Sequence, residues 1–261
     1  MSRSNLSVID PKAKIGKNVK IGPFCVIEED VEIGDNCILE SHAAILNGSR
    51  LGEGCKVFPG AIVGAAPQDL KYRGESSTIT VGKNTIIREY CTLNRGTAAN
   101  FQTTIGENCL LMAYVHVAHD CVIGNNCILA NNVNLAGHIA IEDFAILGGM
   151  SAIHQFVKIG AHAMVGGGSL VRKDIPPYVK AAREPLSYAG VNSIGLKRRG
   201  FTKEQINDIQ QIYRILFVKG YNTSQALKII ETTVNASPER DYVLSFVNSA
   251  DRGIMKGFKQ L

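Results

Sequence analysis

The sequence predicts a parallel β-helix of hexapeptide repeats followed by a group of α-helices. The first observation is a period of six residues: of the 28 positions reached from Ile9 to Val171 in steps of six, 25 are Ile, Leu or Val. Neither an α-helix nor an alternating strand has this period. The second observation is a small residue two positions before most of these aliphatics, and the third is a helical pattern late in the chain. Three hexapeptides would form one triangular coil of about 18 residues, whose short sides pair with the coils above and below.

The small residues define the inside of the predicted prism. All seven cysteines occupy this position, which they share with alanines such as Ala43 and Ala145. Free cysteine behaves as a small hydrophobe, whereas a disulfide framework or a zinc site would need paired or clustered spacings. Glycine often follows the aliphatic, as at Gly34 and Gly124, and these corner glycines are expected to take unusual dihedral angles. The cysteines expected to be reduced and buried are Cys25, Cys37, Cys55, Cys91, Cys109, Cys121 and Cys127.

Two polar segments interrupt the repeat without changing its register. Residues 64–78 and residues 96–103 replace repeat positions, and the aliphatic period resumes after each of them. We expect both segments to be external loops, which commonly carry functional residues.

The repeat ends near Pro176 and Pro177, which cannot donate to a strand ladder. We therefore assign residues 1–177 to the β-helix and residues 178–261 to a linker and an α-helical domain, with residues 178–200 irregular. Helix starts are predicted at Thr202, where Gln205 completes a capping box, near Thr223, and at Ser237 before Pro238, and Gly220 is the predicted end of the first helix.

Composition restricts the class of partner. The formal net charge is +5 at pH 7, and 45% of the residues are hydrophobic. This charge is too small to indicate nucleic-acid binding, but it suits acidic partners such as phosphates or an acidic carrier protein. The sequence shows neither an N-terminal signal peptide nor an apolar stretch long enough to span a membrane. We therefore expect a cytoplasmic protein without membrane insertion.

Coil stacking brings four of the six histidines to one surface. His119 should stack with Gly137 and Gln155, and Asp120 with His138, all within roughly 10 Å along the prism. Stacked polar residues can simply solvate one face, but the convergence of imidazole, carboxylate, amide and glycine favours a functional site. The neighbouring columns add His116 and His154.

This set of residues suits acyl transfer to a hydroxyl group. His119 can accept a hydroxyl proton near neutral pH, with its tautomer fixed by Asp120 or by a backbone carbonyl. Gly137 offers a backbone N–H to an oxyanion. Direct attack by the acceptor is favoured over an acyl-enzyme, because Cys121 points inward and no other nucleophile lies beside His119. A metal site is the competing hypothesis, although no separate Cys or carboxylate ligand is evidently arranged for it.

Five segments carry a family resemblance: His116-Val117-Ala118-His119-Asp120, Gly137-His138, His154-Gln155-Phe156, Gln68-Asp69-Leu70-Lys71-Tyr72, and Gly195-Leu196-Lys197-Arg198-Arg199-Gly200-Phe201. They closely resemble the acyl-carrier-protein–UDP-N-acetylglucosamine O-acyltransferases, which catalyse the first step of lipid A synthesis. The resemblance covers nearly the whole chain. It implies a left-handed β-helix that forms a homotrimer, with active sites in the clefts between subunits.

The resemblance also implies roles for individual residues. His119 would deprotonate the glucosamine 3-hydroxyl with help from Asp120, and the Gly137 N–H would hold the oxyanion. Asp69 and Lys71 would reach in from the adjacent subunit. No cofactor is implied, and the acidic acyl carrier protein would face the basic residues Arg252, Lys256 and Lys259. The sugar, phosphate and nucleotide sites would comprise Gln68, Asp69, Lys71, His116, His138, His154, Gln155, Asn192, Arg198 and Arg199.

Three positions bear on how the family pattern applies. Ile194 stands where better-known members carry an acidic residue that contacts the nucleotide, and Pro185 stands where some have a histidine closing the acyl tunnel. Gly167 occupies the position that sets acyl length and leaves room for an (R)-3-hydroxyacyl chain of about 14 carbons or more. The alternatives are an N-acyltransferase acting later in the same pathway, an acetyl-CoA-dependent transferase, a metal-dependent γ-class carbonic anhydrase and a non-catalytic scaffold.

Overall fold

Residues 2–257 are described by a computed structural model, and most of them form a left-handed parallel β-helix. Three sheets run along the sides of a triangular prism. Strands of successive coils pair in parallel, so that Lys20 pairs with Ile38 and Ile38 pairs with Lys56. The predicted fold class is therefore confirmed.

The strands are short and alternate between the three sheets along the chain. The first sheet contains β1 (Ser2–Arg3), β4 (Lys20–Ile21), β7 (Ile38–Leu39), β10 (Lys56–Val57), β13 (Ile86–Ile87), β16 (Leu110–Leu111), β19 (Ile128–Leu129), β22 (Ile146–Leu147), β25 (Met164–Val165), β27 (Val179–Ala182) and β28 (Ser187–Val191). The second contains β2 (Val8–Ile9), β5 (Val26–Ile27), β8 (Ala44–Ile45), β11 (Ile62–Ala65), β14 (Thr92–Asn94), β17 (His116–Val117), β20 (Asn134–Leu135), β23 (Ala152–Ile153) and β26 (Leu170–Val171). The third contains β3 (Lys14–Ile15), β6 (Val31–Ile33), β9 (Ser49–Leu51), β12 (Thr78–Val81), β15 (Gln102–Ile105), β18 (Val122–Ile123), β21 (Ala140–Ile141) and β24 (Lys158–Ile159).

The interior of the prism is filled by the repeat aliphatics and the cysteines. Side chains such as Ile27 and Leu93 are buried, and all seven cysteines are buried and unpaired, as expected. The Cys121 thiol donates to the carbonyl of Ala136 in the next coil at 3.1 Å. Burial raises the pKa of Cys121 to about 12, so this thiol is protonated at neutral pH and is a poor nucleophile.

The corner glycines contradict the expectation of unusual dihedral angles. Positive φ angles occur two residues later than Gly34 and Gly124, at Asn36 (φ 60°) and Asn126 (φ 57°). A Cβ at Gly124 would lie only 2.8 Å from the backbone nitrogen of Asp143 in the next coil. These glycines are therefore needed because adjacent coils approach closely, and not because of their own backbone angles.

The two interruptions of the repeat lie outside the strands, as the first external loop (66–77) and the second external loop (95–101). The first loop joins β11 to β12, and the second joins β14 to β15. The strands that flank each loop still pair with the coils above and below in the same three sheets. The loops are also bonded to each other. The Arg95 guanidinium donates to the Tyr72 hydroxyl at 3.0 Å, and the Ala98 N–H donates to the Glu75 carboxylate at 3.0 Å.

Residues 178–200 are regular, so the prediction of an irregular segment is wrong. After Pro176 and Pro177, β27 rejoins the first sheet in parallel beside β25, and β28 folds back on β27 as an antiparallel hairpin. A short helix, α1 (Ser193–Arg198), follows and is capped by the Asn192 side chain. The two prolines therefore interrupt the sheet only briefly, and a domain boundary at residue 177 stays a prediction.

Three longer helices cover the end of the prism. They are α2 (Lys203–Phe217), α3 (Thr223–Thr233) and α4 (Pro238–Asn248), and their starts agree with the predicted caps. The first of them ends at Phe217, before Gly220. The buried Tyr213 hydroxyl donates to the Pro177 carbonyl at 2.6 Å and ties α2 to the last coil. No helix within residues 2–257 combines the length and hydropathy required to cross a bilayer.

Candidate active site

The predicted functional residues lie at two different corners of the prism. The histidine corner, between the second and third sheets, contains His119, Asp120 and His138. The arginine corner, between the third and first sheets, is where Arg199 packs on Phe144.

At the histidine corner, His119 and Asp120 form a hydrogen-bonded pair. The Nδ1 atom of His119 lies 2.7 Å from Oδ2 of Asp120, and these side chains are 13% and 0% exposed. Burial raises the pKa of Asp120, but hydrogen bonds from Thr97 and His119 outweigh this effect and hold the pKa below its ordinary value. An ionised carboxylate only accepts hydrogen bonds, so Nδ1 of His119 carries the proton. The Nε2 atom is then free to accept a proton from a substrate.

Gly137 lies directly against the imidazole, as the 18-residue coil predicts. A Cβ at this position would lie 2.8 Å from Nε2 of His119. Within residues 2–257, the backbone N–H of Gly137 has no hydrogen-bond acceptor. The site thus holds an unpaired donor close to the nitrogen that would act as base, as stabilisation of an oxyanion requires.

Two further histidines flank the pair and are neutral at pH 7. The His138 ring meets His119 edge-on with ring centroids 5.1 Å apart, and it stacks on Phe156 at 4.6 Å. On β17, Nδ1 of His116 lies 2.8 Å from the Thr92 hydroxyl. Burial lowers the pKa of both His116 and His138.

His154 and Gln155 lie at the same corner, one coil beyond His138. Both residues are exposed, and Nδ1 of His154 lies 3.1 Å from the backbone oxygen of Gln155. They border the open side of the site, whereas the His119–Asp120 pair forms its buried part.

The first external loop brings an acidic and a basic residue to the same corner. The Asp69 carboxylate lies 3.9 Å from Nε2 of His119 in the same chain. The exposed Lys71 is close enough for its charge to act on His138, again within one chain. Asp69 and Lys71 thus lie near His119 and His138 of their own chain, and the expectation that they reach in from an adjacent subunit stays a prediction. Gln68, also on this loop, is exposed.

The arginine corner holds the predicted nucleotide residues. The Arg199 guanidinium lies 5.2 Å from the centre of the Phe144 ring, and its buried Nη1 has no hydrogen-bond partner in the described part of the chain. Asn192 is buried and donates to the His162 carbonyl at 3.0 Å. Arg198 is exposed. A buried guanidinium nitrogen without an acceptor is suited to an anionic ligand such as a phosphate.

Ile194 lies in the same helix as Arg198 and is 69% exposed. The isoleucine side chain at this position has no atom that can accept a hydrogen bond from a nucleotide. Recognition by a side chain at this point would therefore come from its neighbours.

A single chain does not bring all the predicted residues together. Asn192 and Arg199 contact the arginine corner, whereas His119 and Asp69 meet at the histidine corner.

The two positions linked to acyl length are both exposed. A Cβ at Gly167 would lie 3.1 Å from the Gly149 carbonyl oxygen of the preceding coil. Pro185 lies in the turn between β27 and β28. Since Gly167 has no side chain, the surface above Gly149 stays open.

His119, Asp120 and His138 could also hold a metal ion, since one ligand atom from each lies within 4.8 Å of the others. However, Oδ2 of Asp120 already accepts from His119 and from the Thr97 hydroxyl at 2.6 Å. The hydrogen bonds account for the cluster without an ion.

Sequence reasoning missed two threonines that hold Asp120. The Thr97 backbone and hydroxyl donate to its carboxylate, and the Thr103 hydroxyl accepts from its N–H at 2.8 Å. Thr97 lies in the second external loop, where the repeat that aligns the other residues is interrupted, so the spacing of the chain carries no signal for its contacts. Thr103 lies in β15, where the 18-residue register resumes, so its place beside Asp120 could have been found from the spacing.

Comparisons with known proteins agree on one kind of enzyme. A family model described as "Udp N-acetylglucosamine O-acyltransferase; Domain 2" matches residues 174–255, and a bacterial transferase hexapeptide model matches residues 12–47 and 102–137. Two proteins called acyl-[acyl-carrier-protein]–UDP-N-acetylglucosamine O-acyltransferase are similar along most of their length. The one from Sulfurihydrogenibium sp. is 54% identical over 95% of this chain and 92% of its own, and the one from Chlorobaculum parvum is 57% identical over 95% and 94%.

A solved structure is similar over the same length. It is a UDP-N-acetylglucosamine acyltransferase from Bacteroides fragilis, which is 51% identical and superimposes with a TM-score of 0.96. The match covers 97% of this chain and 99% of that chain. The similarity thus includes the β-helix, both external loops and the helices.

Proposed function

Because the chain belongs to the family of acyl-[acyl-carrier-protein]–UDP-N-acetylglucosamine O-acyltransferases, we propose that its own reaction is catalysed by His119 as general base. In this reaction an (R)-3-hydroxyacyl chain passes from acyl carrier protein to the 3-hydroxyl of the glucosamine unit of UDP-N-acetylglucosamine. This transfer is the first step of lipid A synthesis. The observation that carries the assignment of the base is the His119–Asp120 hydrogen bond of 2.7 Å.

The mechanism follows from the two nitrogens of His119. Nε2 removes the proton of the sugar hydroxyl while its oxygen attacks the thioester carbonyl carbon. The resulting oxyanion is stabilised by the Gly137 N–H. The intermediate then collapses, the carbon–sulfur bond breaks, and the imidazolium returns its proton to the leaving thiolate. Asp120 stabilises the imidazolium between these steps.

The remaining residues would bind the substrates. At the histidine corner, the neutral His116 and His138 and the exposed His154 and Gln155 are available to the sugar, as are Gln68, Asp69 and Lys71 of the first loop. At the arginine corner, Arg198 and Arg199 would hold the phosphates, and the Arg199 nitrogen without a partner supports this role. Asn192 would act mainly by fixing the start of α1, since its amide is already bonded.

The proposed assembly is a homotrimer with active sites between subunits. It would bring the arginine corner of one copy to the histidine corner of the next, whereas within one chain these corners lie on different edges of the prism. Cyclic symmetry repeats this contact at each interface and closes the ring.

Acyl carrier protein is the proposed donor, and the surface that supports it is basic. The Arg252 guanidinium donates to the Arg172 carbonyl at 3.3 Å, and the Lys173 ammonium donates to the Arg252 carbonyl at 3.4 Å. Lys256 is exposed nearby in the chain, and Lys259 lies outside the described residues. Such a patch complements an acidic carrier. The proposal includes a cytoplasmic location, which the unpaired cysteines support.

The first test compares His119→Ala with the intact protein in transfer from a 3-hydroxyacyl carrier protein to UDP-N-acetylglucosamine. We expect kcat to fall by about 100- to 10,000-fold, the usual contribution of a general base. His42→Ala is the matched control and should leave the rate unchanged. His42 stacks on Phe24 at the remaining corner of the prism, between the first and second sheets. A His119→Ala variant as active as the intact protein would overturn the assignment. Stoichiometric metal in the active protein would favour the metal hypothesis instead.

The shared site can be tested by mixing two inactive variants. If His119→Ala and Arg199→Ala are co-expressed and assemble at random, about a quarter of the interfaces join two intact corners. Activity should return to about that fraction of the intact enzyme. A mixture no more active than either variant alone would show that both corners act within one subunit.

A further inference from the structure

Two threonines, one in the second external loop and one in β15, hold Asp120 in place. From the start of the loop, the Thr97 N–H donates to Oδ1 of Asp120 at 3.0 Å, and the Thr97 hydroxyl donates to Oδ2 at 2.6 Å. From β15, the Thr103 hydroxyl accepts from the Asp120 N–H at 2.8 Å. Thr97 and Thr103 are 8% and 0% exposed, so these bonds do not compete with bulk water.

The direction of the Thr97 hydroxyl is determined by its partners. The Ala99 N–H donates to the same oxygen at 3.3 Å, so the hydroxyl proton is left for Asp120. Oδ2 of Asp120 therefore accepts from Thr97 and His119 together. Because a hydroxyl donor already fixes this oxygen in place, the imidazole can meet it only with a protonated Nδ1 in one orientation.

We infer that Thr97 is a positioning residue for the acyl transfer, which fixes Asp120 and thereby keeps Nε2 of His119 free and aimed at the acceptor hydroxyl. This inference rests on the proposed role of His119 as base. Among the described residues, Thr97 makes hydrogen bonds to the Asp120 carboxylate and none to the imidazole, so it acts on His119 through the carboxylate.

The support for Thr97 extends to the first external loop. The Ala98 N–H is held by Glu75, and Arg95, two residues before Thr97, is held by Tyr72. Asp69, on the same loop as Tyr72 and Glu75, lies 3.9 Å from Nε2 of His119. Hydrogen bonds thus join the two loops. The second loop supports Asp120, which is bonded to Nδ1 of His119, and the first loop places Asp69 near Nε2.

The decisive variant is Thr97→Val, which keeps the branched shape and the backbone N–H but loses the hydroxyl. We expect kcat to fall by about 10- to 100-fold, the size of a lost hydrogen bond to a charged group, with KM for UDP-N-acetylglucosamine unchanged. The acid limb of the pH–rate profile should move to higher pH, because a carboxylate that has lost a donor stabilises the imidazolium more strongly. Thr97→Ser, which restores the hydroxyl, should recover the rate and the profile. Thr104→Val is the matched control, since Thr104 is a half-buried residue of β15.

Several outcomes would overturn the inference. A Thr97→Val protein with the rate and pH profile of the intact enzyme shows that the hydroxyl is not needed. Equal losses in Thr97→Val and Thr97→Ser show that threonine acts by packing. If Thr97→Val does not fold, Thr97→Cys, a weaker donor of similar size, replaces it and should show a smaller shift of the same sign. Loss of activity in His119→Ala with none in Thr97→Val removes this inference alone, whereas unchanged activity in His119→Ala removes the proposed function.

Discussion

Gly137 lies so close to the imidazole of His119 that an added Cβ would stand 2.8 Å from Nε2, which makes a specific prediction at the scale of one residue. Gly137→Ala should lower kcat/KM by about 100-fold or more, because the methyl group displaces the imidazole and screens the oxyanion donor. The obstructing atoms are side-chain atoms, so the melting temperature should change little. Steady-state kinetics and a thermal melt on the same sample measure both effects.

Gly124→Ala serves as the control, since there the obstruction is the backbone of the next coil. This variant should lose stability while each folded molecule keeps its activity. Full activity in Gly137→Ala would mean that the imidazole has another position from which it works.

A second residue-scale prediction concerns Asp120 and pH. Its pKa is lowered in the folded protein, so the carboxylate stabilises the fold above the ordinary Asp pKa of about 3.9, and this contribution is lost as the pH falls through the lowered value. The Asp120→Asn variant lacks this pH-dependent stabilisation, because an amide does not ionise. The difference in melting temperature between the two proteins should be constant near neutrality and shrink below about pH 4. A difference that grows with acidity would contradict the lowered pKa.

At the scale of single residues, the coil period predicts which site residues stack on one another. It does not predict which residues hold them in place. His119, Gly137 and His138 could be placed together because an uninterrupted coil has a fixed length. Thr97 could not be placed, and Asp69 was assigned to the site by the family resemblance alone, because both lie in loops where neighbours along the prism are no longer a fixed distance apart in sequence. Their contacts depend on three-dimensional loop conformation.

Among the elements, α2 depends on one buried hydroxyl where it meets the last coil. Tyr213→Phe should cost about 1–3 kcal/mol of unfolding free energy, because it leaves the buried Pro177 carbonyl without this donor. Tyr221→Phe, at a residue 42% exposed, should change stability by less than about 0.5 kcal/mol. Urea denaturation of both variants tests the contrast. Equal midpoints would show that packing alone holds the helix.

The helix starts could be predicted from the sequence, whereas the hairpin at the end of the β-helix could not. The starts of α2, α3 and α4 follow from local capping residues, which act within one turn. The hairpin of β27 and β28 was missed because its strands have no six-residue period and follow two prolines. Its pairing to β25 is a long-range contact that local patterns do not encode.

For the whole molecule, the family resemblance and the glycine at position 167 together predict the length of the acyl chain. Donors of about 14 carbons or more should react fastest, and Gly167→Met should shift the preference to shorter chains by filling the space above Gly149. Competition between 3-hydroxyacyl carrier proteins of graded length measures both. KM for UDP-N-acetylglucosamine is the internal control and should not change. A sharp preference of the intact enzyme for ten carbons would contradict the prediction.

The stacking of coils also sets an order of events during synthesis. Each coil rests on the coil made just before it, so a growing chain can add finished layers one at a time as it leaves the ribosome. The second external loop is synthesised before Asp120. The Asp120 carboxylate is therefore added to a coil whose hydrogen-bond donor, Thr97, has already been made. The helices come last and close the free edge of the final layer. The proposed catalytic pair is thus built in the middle of the sequence, after its support and before the cover.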